Sequence, residues 1–550
     1  MTTAEPGHDS RAARELELRE ATRRLLAEEE ILRGGGGGES VERQHAKGRM
    51  TARERAAALI DSGSRFLELG LWAAYQMYEA WGGAPCAGVL TAIGTVCGRS
   101  VMIVANDATV KAGACFPLTI KKMLRAQEIA GRCRLPLVYL VDSSGVFLPM
   151  QDEVFPDEDD FGRIFRNNAV LSAQGVPQIA AIMGNCVAGG AYLPALCDTI
   201  LMTEGSGLYL AGPSLVKAAI GQEISSEDLG GATVHSALSG TVDYHEKDDA
   251  ACLARIRRLI ALLPCDPKPW VSVESAEAPS RPAGDLFEIV RTDSSGQYDM
   301  RQLIEVLVDG GRFDEYRAEY GRTLVCGFAR LGGMALGIVA NQRLRFRPEG
   351  RGPLQFGGVI YADSADKAAR FVMDCNQSRV PLLFLQDVNG FDVGRDAERS
   401  GIIRRGAKLV NAVSNSVVPK ITLLVGHSFG AGHYALCGRA FDPHFMFAWP
   451  GARYAVMGAE QASRTMLDVN LATLKRQGKV VDEIGLKAMA EELRRRYDRE
   501  TDIRYAAARG WVDAILDPLE TRETLILSFA LATREQPRKG TRFSTGVFQV

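Results

Sequence analysis

Short apolar runs rich in β-branched residues alternate along the chain with segments in which apolar residues recur at helical spacing. In the first half the runs are VMIVAND, PLVYLVD, PQIAAIMG and TILMTEG, and the clearest helical segment is LTIKKMLRAQEIAGRC. Runs of this length predict strands, and the periodic segments predict helices packed against the sheet. The alternation therefore predicts an α/β fold.

The same series of patterns occurs twice. RLPLVYLVDSSG, which begins at Arg134, resembles RVPLLFLQDVNG, which begins at Arg379. Three further pairs keep the same order: LIDSGSRFLEL with LVDGGRFDEY, VMIVAND with LGIVANQ, and VPQIAAIMGNCVAGGAY with VPKITLLVGHSFGAGHY. Chance similarity between apolar strands does not preserve order and spacing over four pairs, so the sequence predicts a tandem duplication.

Changes in composition mark the expected domain boundaries. An amphipathic helix is predicted from Arg14 to Arg33, and the glycine run Gly34–Gly38 is interpreted as a flexible linker, because it lacks the frame of a phosphate-binding loop. The Pro- and acid-rich passage from Leu262 to Asp285 is expected to connect two large units. We predict an N-terminal helix and linker at 1–38, an N-terminal domain at 39–283 and a C-terminal domain at 284–550.

Composition narrows the functional classes. A formal net charge of -2 over 550 residues gives no indication of a nucleic-acid or anionic-membrane partner. No apolar run approaches the roughly 18–20 residues of a spanning helix, and the first residues contain no apolar core of a signal peptide, so we expect a cytoplasmic protein. The 11 Cys residues form no C-x-x-C motif and the 7 His residues no ligand spacing, so we expect neither disulfides nor a bound metal.

The strongest candidates for chemistry are the two strand-to-loop junctions GNCVAGGAY and GHSFGAGHY. Small residues allow a ligand to approach the backbone, and the first N–H groups of a following helix have no partner within that helix. Such groups stabilise an oxyanion that develops on a carbonyl oxygen. The alternative, that these glycines only allow tight packing of helix on strand, stays open at this point.

Two other catalytic interpretations are weaker. Gly426–Gly430 fits the G-x-S-x-G elbow of serine hydrolases, but the only histidines after Ser428 are His433 and His444, and the equivalent junction has Cys186 at the serine position. Asp142 and Asp387 end equivalent predicted strands. Each is a conceivable general base, although an Asp at such a position more often caps a helix.

From about residue 40 onward the sequence resembles the carboxyltransferase β subunits of biotin-dependent acyl-CoA carboxylases, in particular the methylcrotonyl-CoA and geranyl-CoA branch. The motifs that carry the resemblance are AKGRMTARERAAALIDSGSRFLEL, NDATVKAGACFPLTIKKMLRAQEIA, LPMQDEVFPDEDDFGRIF, LYLAGPSLVKAAIGQEISSEDLGGATVHSALSG and GRAFDPHFMFAWPGARYAVMGAEQA. The resemblance implies a tandem duplication of two crotonase-like domains of ββα superhelix units. It also implies that acyl-CoA binds on the N-terminal side and carboxybiotin on the C-terminal side, between subunits of a dimer within a hexamer.

Site residues follow from the same resemblance. Gly189 and Gly190 would hold the thioester oxygen of the acyl-CoA enolate, and Ala431 and Gly432 the ureido oxygen of biotin. The residues implied to line the acyl-CoA site are Ser144, Gly145, Val146, Phe147, Ala188, Ala211 and Gly212, and those implied to line the biotin site are Gly390, Phe391 and Gly430. Because the chain has no Met-Lys-Met attachment motif and no obvious ATP-binding unit, we expect biotin to be carried by a partner α subunit and ATP not to bind here.

Departures from the family pattern concern the substrate. The methylcrotonyl-CoA branch reads VDSGGAYLPRQ where this chain reads VDSSGVFLPMQ, and the segment from Arg343 to Gly358 is longer than in that branch. QDVNGFDVG also resembles the carboxyltransferase subunit of glutaconyl-CoA decarboxylases, which transfer the carboxyl group in the opposite direction. A hydratase on a related fold and a non-catalytic subunit with a closed pocket are the remaining alternatives.

Overall fold

A computed structural model describes residues 8–290, 296–347, 353–477, 483–535, 543–547 and 549. The chain divides into two compact units. The N-unit comprises Ala27–Lys268 with Ala507–Gly510, and the C-unit comprises Met1–Leu26, Pro269–Ala506 and Trp511–Val550. Helices α1 (His8–Arg33) and α18 (Ile503–Ala508) each contain a boundary between these two sets of residues.

The N-unit contains a mixed sheet covered by helices. Its strands are β1 Leu67–Leu69, β2 Val89–Val96, β3 Arg99–Asn106, β4 Leu137–Ser143, β5 Gln178–Val187, β6 Thr199–Thr203, β7 Gly207–Tyr209 and β8 Tyr244–Glu246. Its helices are α2 Gly38–His45, α3 Ala52–Leu59, α4 Pro117–Cys133, α5 Phe161–Ala173, α6 Tyr192–Ala195, α7 Pro213–Ile220, α8 Ser226–Gly230 and α9 Asp249–Leu262. Strands β1 to β3 are antiparallel, and β3 to β6 with β8 are parallel, while β7 pairs with the end of β5.

The C-unit repeats this arrangement. Its strands are β9 Phe313–Glu315, β10 Leu324–Leu331, β11 Met334–Asn341, β12 Val359–Ile360, β13 Leu382–Val388, β14 Gly390–Phe391, β15 Lys420–Phe429, β16 Phe445–Ala448, β17 Arg453–Ala455 and β18 Ala514–Ile515. Its helices are α10 Leu286–Ile289, α11 Met300–Leu307, α12 Ala362–Ser378, α13 Arg395–Arg399, α14 Ile402–Ser414, α15 Gly430–Ala435, α16 Ala459–Arg476, α17 Glu483–Thr501, the first part of α18, and α19 Thr521–Ala532. The sheet order β9-β10-β11-β13-β15-β16-β18, with β17 on β15, matches the N-unit strand for strand.

This correspondence confirms the α/β fold and the duplication predicted from the sequence. The two repeated segments have the same structural role. Arg134 and Arg379 both adopt the left-handed conformation that ends a helix, at φ 53° and 56°. The proline that opens each following strand needs no N–H donor there, and its carbonyl accepts a hydrogen bond from the neighbouring strand at 2.8 Å in both units.

Apolar side chains of each sheet form a core with the helices on it. In the N-unit, Ile103 and Val138 pack with Leu59 of α3 and Ile256 of α9. In the C-unit, strand residues such as Phe384 pack with Phe371 of α12 and Leu409 of α14. Helix α3 begins at a capping box in which the side chains of Thr51 and Glu54 bond each other's backbone N–H groups.

The N-terminal segment differs from the prediction. Helix α1 begins at His8 rather than Arg14, and the glycine run is a hydrogen-bonded turn rather than a flexible linker. The Gly36 N–H donates to Thr109 Oγ1 at 3.0 Å, and a Cβ on Gly36 would lie 1.9 Å from the Thr109 carbonyl oxygen. Composition indicated flexibility, whereas close approach of two backbones is the other reason for glycine.

We predict that Gly36→Ala lowers the melting temperature and that Gly38→Ala, which has no atom within 4 Å of its new Cβ, does not. The added methyl at Gly36 must displace the Thr109 backbone, at a cost of about 1–3 kcal/mol. Thermal unfolding of both variants, with tryptic cleavage near the turn as a second readout, measures the difference. Identical behaviour of the two variants would show that the run is a linker.

Candidate functional site

The two glycine-containing junctions follow β5 and β15, the central strands of the two sheets. In each, the first residue of the turn is left-handed, with φ 56° at Ala188 and φ 57° at Gly430. A short helical turn starts there, so the N–H groups of Gly189 and Gly190, and of Ala431 and Gly432, belong to first turns without an acceptor inside the helix. Both turns therefore start from the same left-handed backbone conformation, although the N-unit turn is a 3₁₀ helix and the C-unit turn an α-helix.

A buried aspartate fixes each turn. In both units the strand pairing shifts register at this aspartate, because β5 and β15 each bulge by two residues. Asp142 accepts the Asn185 N–H at 3.2 Å, and Asp387 accepts the His427 N–H at 2.8 Å. A Cβ on the preceding Gly184 would lie 2.0 Å from the Asp142 carboxylate, so only glycine fits beside it.

Each carboxylate is compensated within its own unit. Arg55 lies 3.3 Å from Asp142 and 2.8 Å from Asp249, and its guanidinium also donates to the Met183 carbonyl. Asp387 is held by other partners, which are the Tyr298 hydroxyl at 2.8 Å and Arg343 at 3.2 Å. Both aspartates are 3% exposed. Neither is the N-cap of a helix in the described part of the chain, so the helix-cap interpretation is wrong, while the general-base interpretation stays untested.

The expected acyl-CoA residues meet around the N-unit turn. Gly145, with φ 87°, approaches the turn so closely that a Cβ would lie 3.3 Å from the Val187 carbonyl oxygen. Ala211 and Gly212 follow strand β7, whose Tyr209 pairs with Val187. Among the remaining residues, Gly189 lies against the ring of Phe161, a neighbour that the sequence analysis missed.

The Phe147 side chain packs in an apolar cluster instead of facing the N-unit turn. Its ring stacks on Phe116 at 4.3 Å and meets Trp81 edge-on at 5.5 Å, within an apolar cluster that also includes Met150. Ser144 is exposed and Val146 is half-buried. The loop residues that depart from the family pattern thus do not share one environment. The guanidinium of Arg53, also in the N-unit, is bound by the Glu68 carboxylate through two hydrogen bonds of 2.8 and 3.0 Å.

The expected biotin residues meet around the C-unit turn. A Cβ on Gly432 would lie 3.3 Å from Gly390 Cα and 2.5 Å from a methyl of Val388. Phe391 lines an adjoining cavity of about 1470 Å³ in the C-unit. Its other lining residues include Asn389, His427, Phe429, Arg453, Arg494 and Phe356. Phe356 belongs to the long segment Arg343–Gly358, of which residues 348–352 lie outside the described residues.

The serine-elbow interpretation fails in the structure. Ser428 is fully buried, and its hydroxyl lies 2.6 Å from Gln386 Oε1 and 2.7 Å from His433 Nδ1. Burial lowers the pKa of His433 to about 4, so the ring is neutral near pH 7. Burial also raises the pKa of the Cys186 thiol to about 12, so this residue is no thiolate nucleophile.

Within the described ranges, no three or more His, Cys, Asp or Glu side chains are grouped to hold a metal ion. No helix in the described part of the chain has the length and apolarity needed to cross a bilayer.

A backbone turn of this kind in each half of a duplicated α/β chain is suited to binding two carbonyl oxygens. A profile of the carboxyl transferase domain matches residues 43–544, and the chain belongs to that family. The β chain of methylcrotonoyl-CoA carboxylase from Arabidopsis thaliana mitochondria is 45% identical over 519 residues, which cover 93% of this chain and 85% of the relative. These matches confirm the resemblance to carboxyltransferase β subunits, and the protein is an enzyme of that class.

A second relative and a solved structure support the same family assignment. The β1 subunit of the biotin-dependent 3-methylcrotonyl-coenzyme A carboxylase from Mycobacterium tuberculosis is 44% identical, with 89% of each chain covered. The crystal structure of the β subunit of geranyl-CoA carboxylase from P. aeruginosa superimposes with a TM-score of 0.81 at 32% identity, and covers 100% of this chain and 99% of the other. This agreement confirms the fold class implied by the resemblance.

We predict that the two turns respond differently to alanine. Gly432→Ala must displace Val388, whereas Gly190 has no atom within 4 Å of a new Cβ. Gly432→Ala should lower the melting temperature, by overpacking worth about 1–3 kcal/mol, while Gly190→Ala should melt like the wild type. Calorimetry on both variants tests this difference. A greater loss for Gly190→Ala would contradict the packing described for the C-unit turn.

Proposed function

We propose that this chain transfers the carboxyl group from carboxybiotin to an acyl-CoA of the 3-methylcrotonyl type, with one oxyanion turn in each unit. The observation that carries the proposal is the pair of geometrically equivalent turns in a member of the carboxyl transferase family. The closely similar relatives named for methylcrotonyl-CoA support the substrate class.

Each turn has a defined role in this proposal. The N–H groups of Gly189 and Gly190 hold the thioester oxygen, and those of Ala431 and Gly432 hold the ureido oxygen of biotin. Both donor pairs act where negative charge develops, and such donors are each worth about 3–4 kcal/mol of transition-state stabilisation. Biotin supplies the carboxyl carrier and the proton acceptor, so the chain needs no side-chain base. The buried Asp142 and Asp387 and the neutral His433 agree with that expectation.

The C-unit cavity supports a biotin site in this unit. Phe429, which directly precedes the turn, lines it together with Phe391 and with the polar side chain of Asn389. Biotin is expected to arrive on a partner α subunit that also carries the biotin carboxylase, and the active site is expected to form between subunits of a dimer within a hexamer. These partners and the cytoplasmic location stay predictions. The Arabidopsis relative is named as mitochondrial.

The reaction is testable with the purified chain and free biotin. Carboxylated esters of a panel (3-methylglutaconyl-, carboxygeranyl-, methylmalonyl-, malonyl- and glutaconyl-CoA) are incubated with biotin, and loss of the carboxyl group is followed. We expect turnover with 3-methylglutaconyl-CoA, reduced about 10²–10³-fold by Gly190→Pro or Gly432→Pro, each of which removes one N–H donor. Circular dichroism controls for folding. A preference for glutaconyl-CoA would favour the decarboxylase alternative, and no turnover on any ester would contradict the proposal.

A mixing experiment tests the shared active site. If a site combines the N-unit of one subunit with the C-unit of its partner, a dimer of Gly190→Pro and Gly432→Pro chains has one intact site and one site with both changes. We predict that co-expression of the two inactive variants restores activity, up to half per mixed dimer. Separately purified and unmixed variants are the control. Absence of restored activity in proven mixed dimers would place both turns of a site in the same chain.

A further inference from the structure

Four polar side chains beneath the C-unit turn form a hydrogen-bonded chain that the proposed reaction does not use. The Ser428 hydroxyl contacts Gln386 Oε1 at 2.6 Å and His433 Nδ1 at 2.7 Å, and the Tyr454 hydroxyl contacts His433 Nε2 at 2.6 Å. Gln386 and Ser428 are fully buried and His433 is 4% exposed. These contacts are therefore made away from water, where they are strong if every group is satisfied.

One backbone donor fixes the direction of the hydrogen bonds that link His433, Ser428 and Gln386. The Arg439 N–H donates to His433 Nε2 at 3.3 Å, so Nε2 is an acceptor and the ring proton is on Nδ1. His433 Nδ1–H then donates to Ser428, and Ser428 donates to Gln386 Oε1. The Gln386 amide nitrogen in turn donates to the Leu436 carbonyl at 2.7 Å. The same tautomer prevents His433 from accepting the Ser428 proton.

The N-unit has no such chain at the equivalent positions. Cys186 pairs with Leu208 as Ser428 pairs with Tyr454, Val141 precedes Asp142 as Gln386 precedes Asp387, and Ala191 follows Gly190 as His433 follows Gly432. The N-unit residues at these positions are buried, at 4% for Val141, 1% for Cys186, 8% for Ala191 and 4% for Leu208. The same local fold thus forms in the N-unit with apolar side chains at these four positions. Because buried polar groups cost free energy, the C-unit set indicates a role beyond folding.

The hydrogen-bonded side chains connect the C-unit turn to three strands. His433 directly follows Gly432, and its ring reaches Gln386 on β13, Ser428 on β15 and Tyr454 on β17. Gly438 leaves room for that ring, since a Cβ there would lie 2.1 Å from Nε2. The C-unit turn begins with glycine, whose backbone is freer than that of Ala188, which begins the N-unit turn. Because the His433 side chain is hydrogen-bonded to neighbouring strands, it restricts the backbone freedom of the turn next to it.

We infer that Gln386, Ser428, His433 and Tyr454 are positioning residues that hold the Ala431 and Gly432 N–H groups in place for the biotin half of the reaction. The inference rests on the proposed function and deepens it, because it makes only one of the two turns depend on a buried polar chain. A displacement of about 1 Å in a catalytic group costs roughly 10²-fold in rate. Displacement of the C-unit N–H groups therefore lowers kcat of the biotin-dependent step. The affinity for the CoA ester, which binds on the N-unit, stays unchanged.

The test compares four variants with wild type in the free-biotin assay. His433→Ala removes the ring, and His433→Asn keeps an amide donor near the position of Nδ1. The combination Gln386→Val, Ser428→Cys, His433→Ala and Tyr454→Leu reproduces the N-unit set and removes all four polar side chains together. Tyr316→Phe, a change at a ring packed on Phe371 in the same unit, is the matched control. For each variant, kcat and KM for biotin, the Kd of the CoA ester and the melting temperature are measured.

We expect kcat to fall about 10²-fold in His433→Ala and in the combined variant, with the Kd of the CoA ester unchanged. We expect His433→Asn to stay within about threefold of wild type, because one donor still reaches Ser428. Unchanged kcat in His433→Ala, or a combined variant that folds and is fully active, overturns the inference alone. Losses that follow only the melting temperature, with no rescue by Asn, also overturn it. A wild type without biotin-dependent turnover overturns the proposed function, and the inference falls with it.

Discussion

The buried carboxylates of Asp142 and Asp387 are the constraint on which both candidate sites depend. Each lies where a central strand bulges by two residues, and each accepts the N–H of a residue in that bulge. A bulge re-aims the chain that leaves a sheet, and here that chain is the turn with the free first N–H groups. In the N-unit one buried guanidinium, that of Arg55, is shared by the carboxylates of Asp142 and Asp249, and this ion pairing holds Asp142 in its place at the bulge.

The bulge, its buried aspartate and the turn occur in both units, whereas the side chains around them differ. Asp142 is neutralised by Arg55, which also binds Asp249, whereas Asp387 is held by Tyr298 and Arg343. Beneath the turns, one unit has an apolar set and the other a directed hydrogen-bond chain. The two turns thus begin with the same backbone conformation but are supported by different side chains. The asymmetry therefore agrees with an acyl-CoA side and a biotin side.

Local patterns in the sequence predicted the strands, the helix after Phe116 and the duplication, because hydrophobic period and strand order are local or repeated signals. The glycine run was misinterpreted, since composition does not distinguish freedom from the close backbone approach seen at Gly36. The partners of the buried aspartates could not be predicted, because Arg55 lies 87 residues from Asp142 and Tyr298 lies 89 from Asp387. The five-residue spacing of Ser428 and His433 was visible, but only the fold shows that both are buried.

In the proposed reaction, two backbone turns, one in each unit, hold the two carbonyl oxygens of a carboxyl transfer. The most direct measurement is a crystal structure of the chain with a CoA ester and free biotin bound. We expect the thioester oxygen within hydrogen-bond distance, about 2.7–3.1 Å, of the Gly189 and Gly190 nitrogens. We expect the ureido oxygen at the same distance from the Ala431 and Gly432 nitrogens. Either ligand bound with its carbonyl away from these nitrogens, at full occupancy, would contradict it.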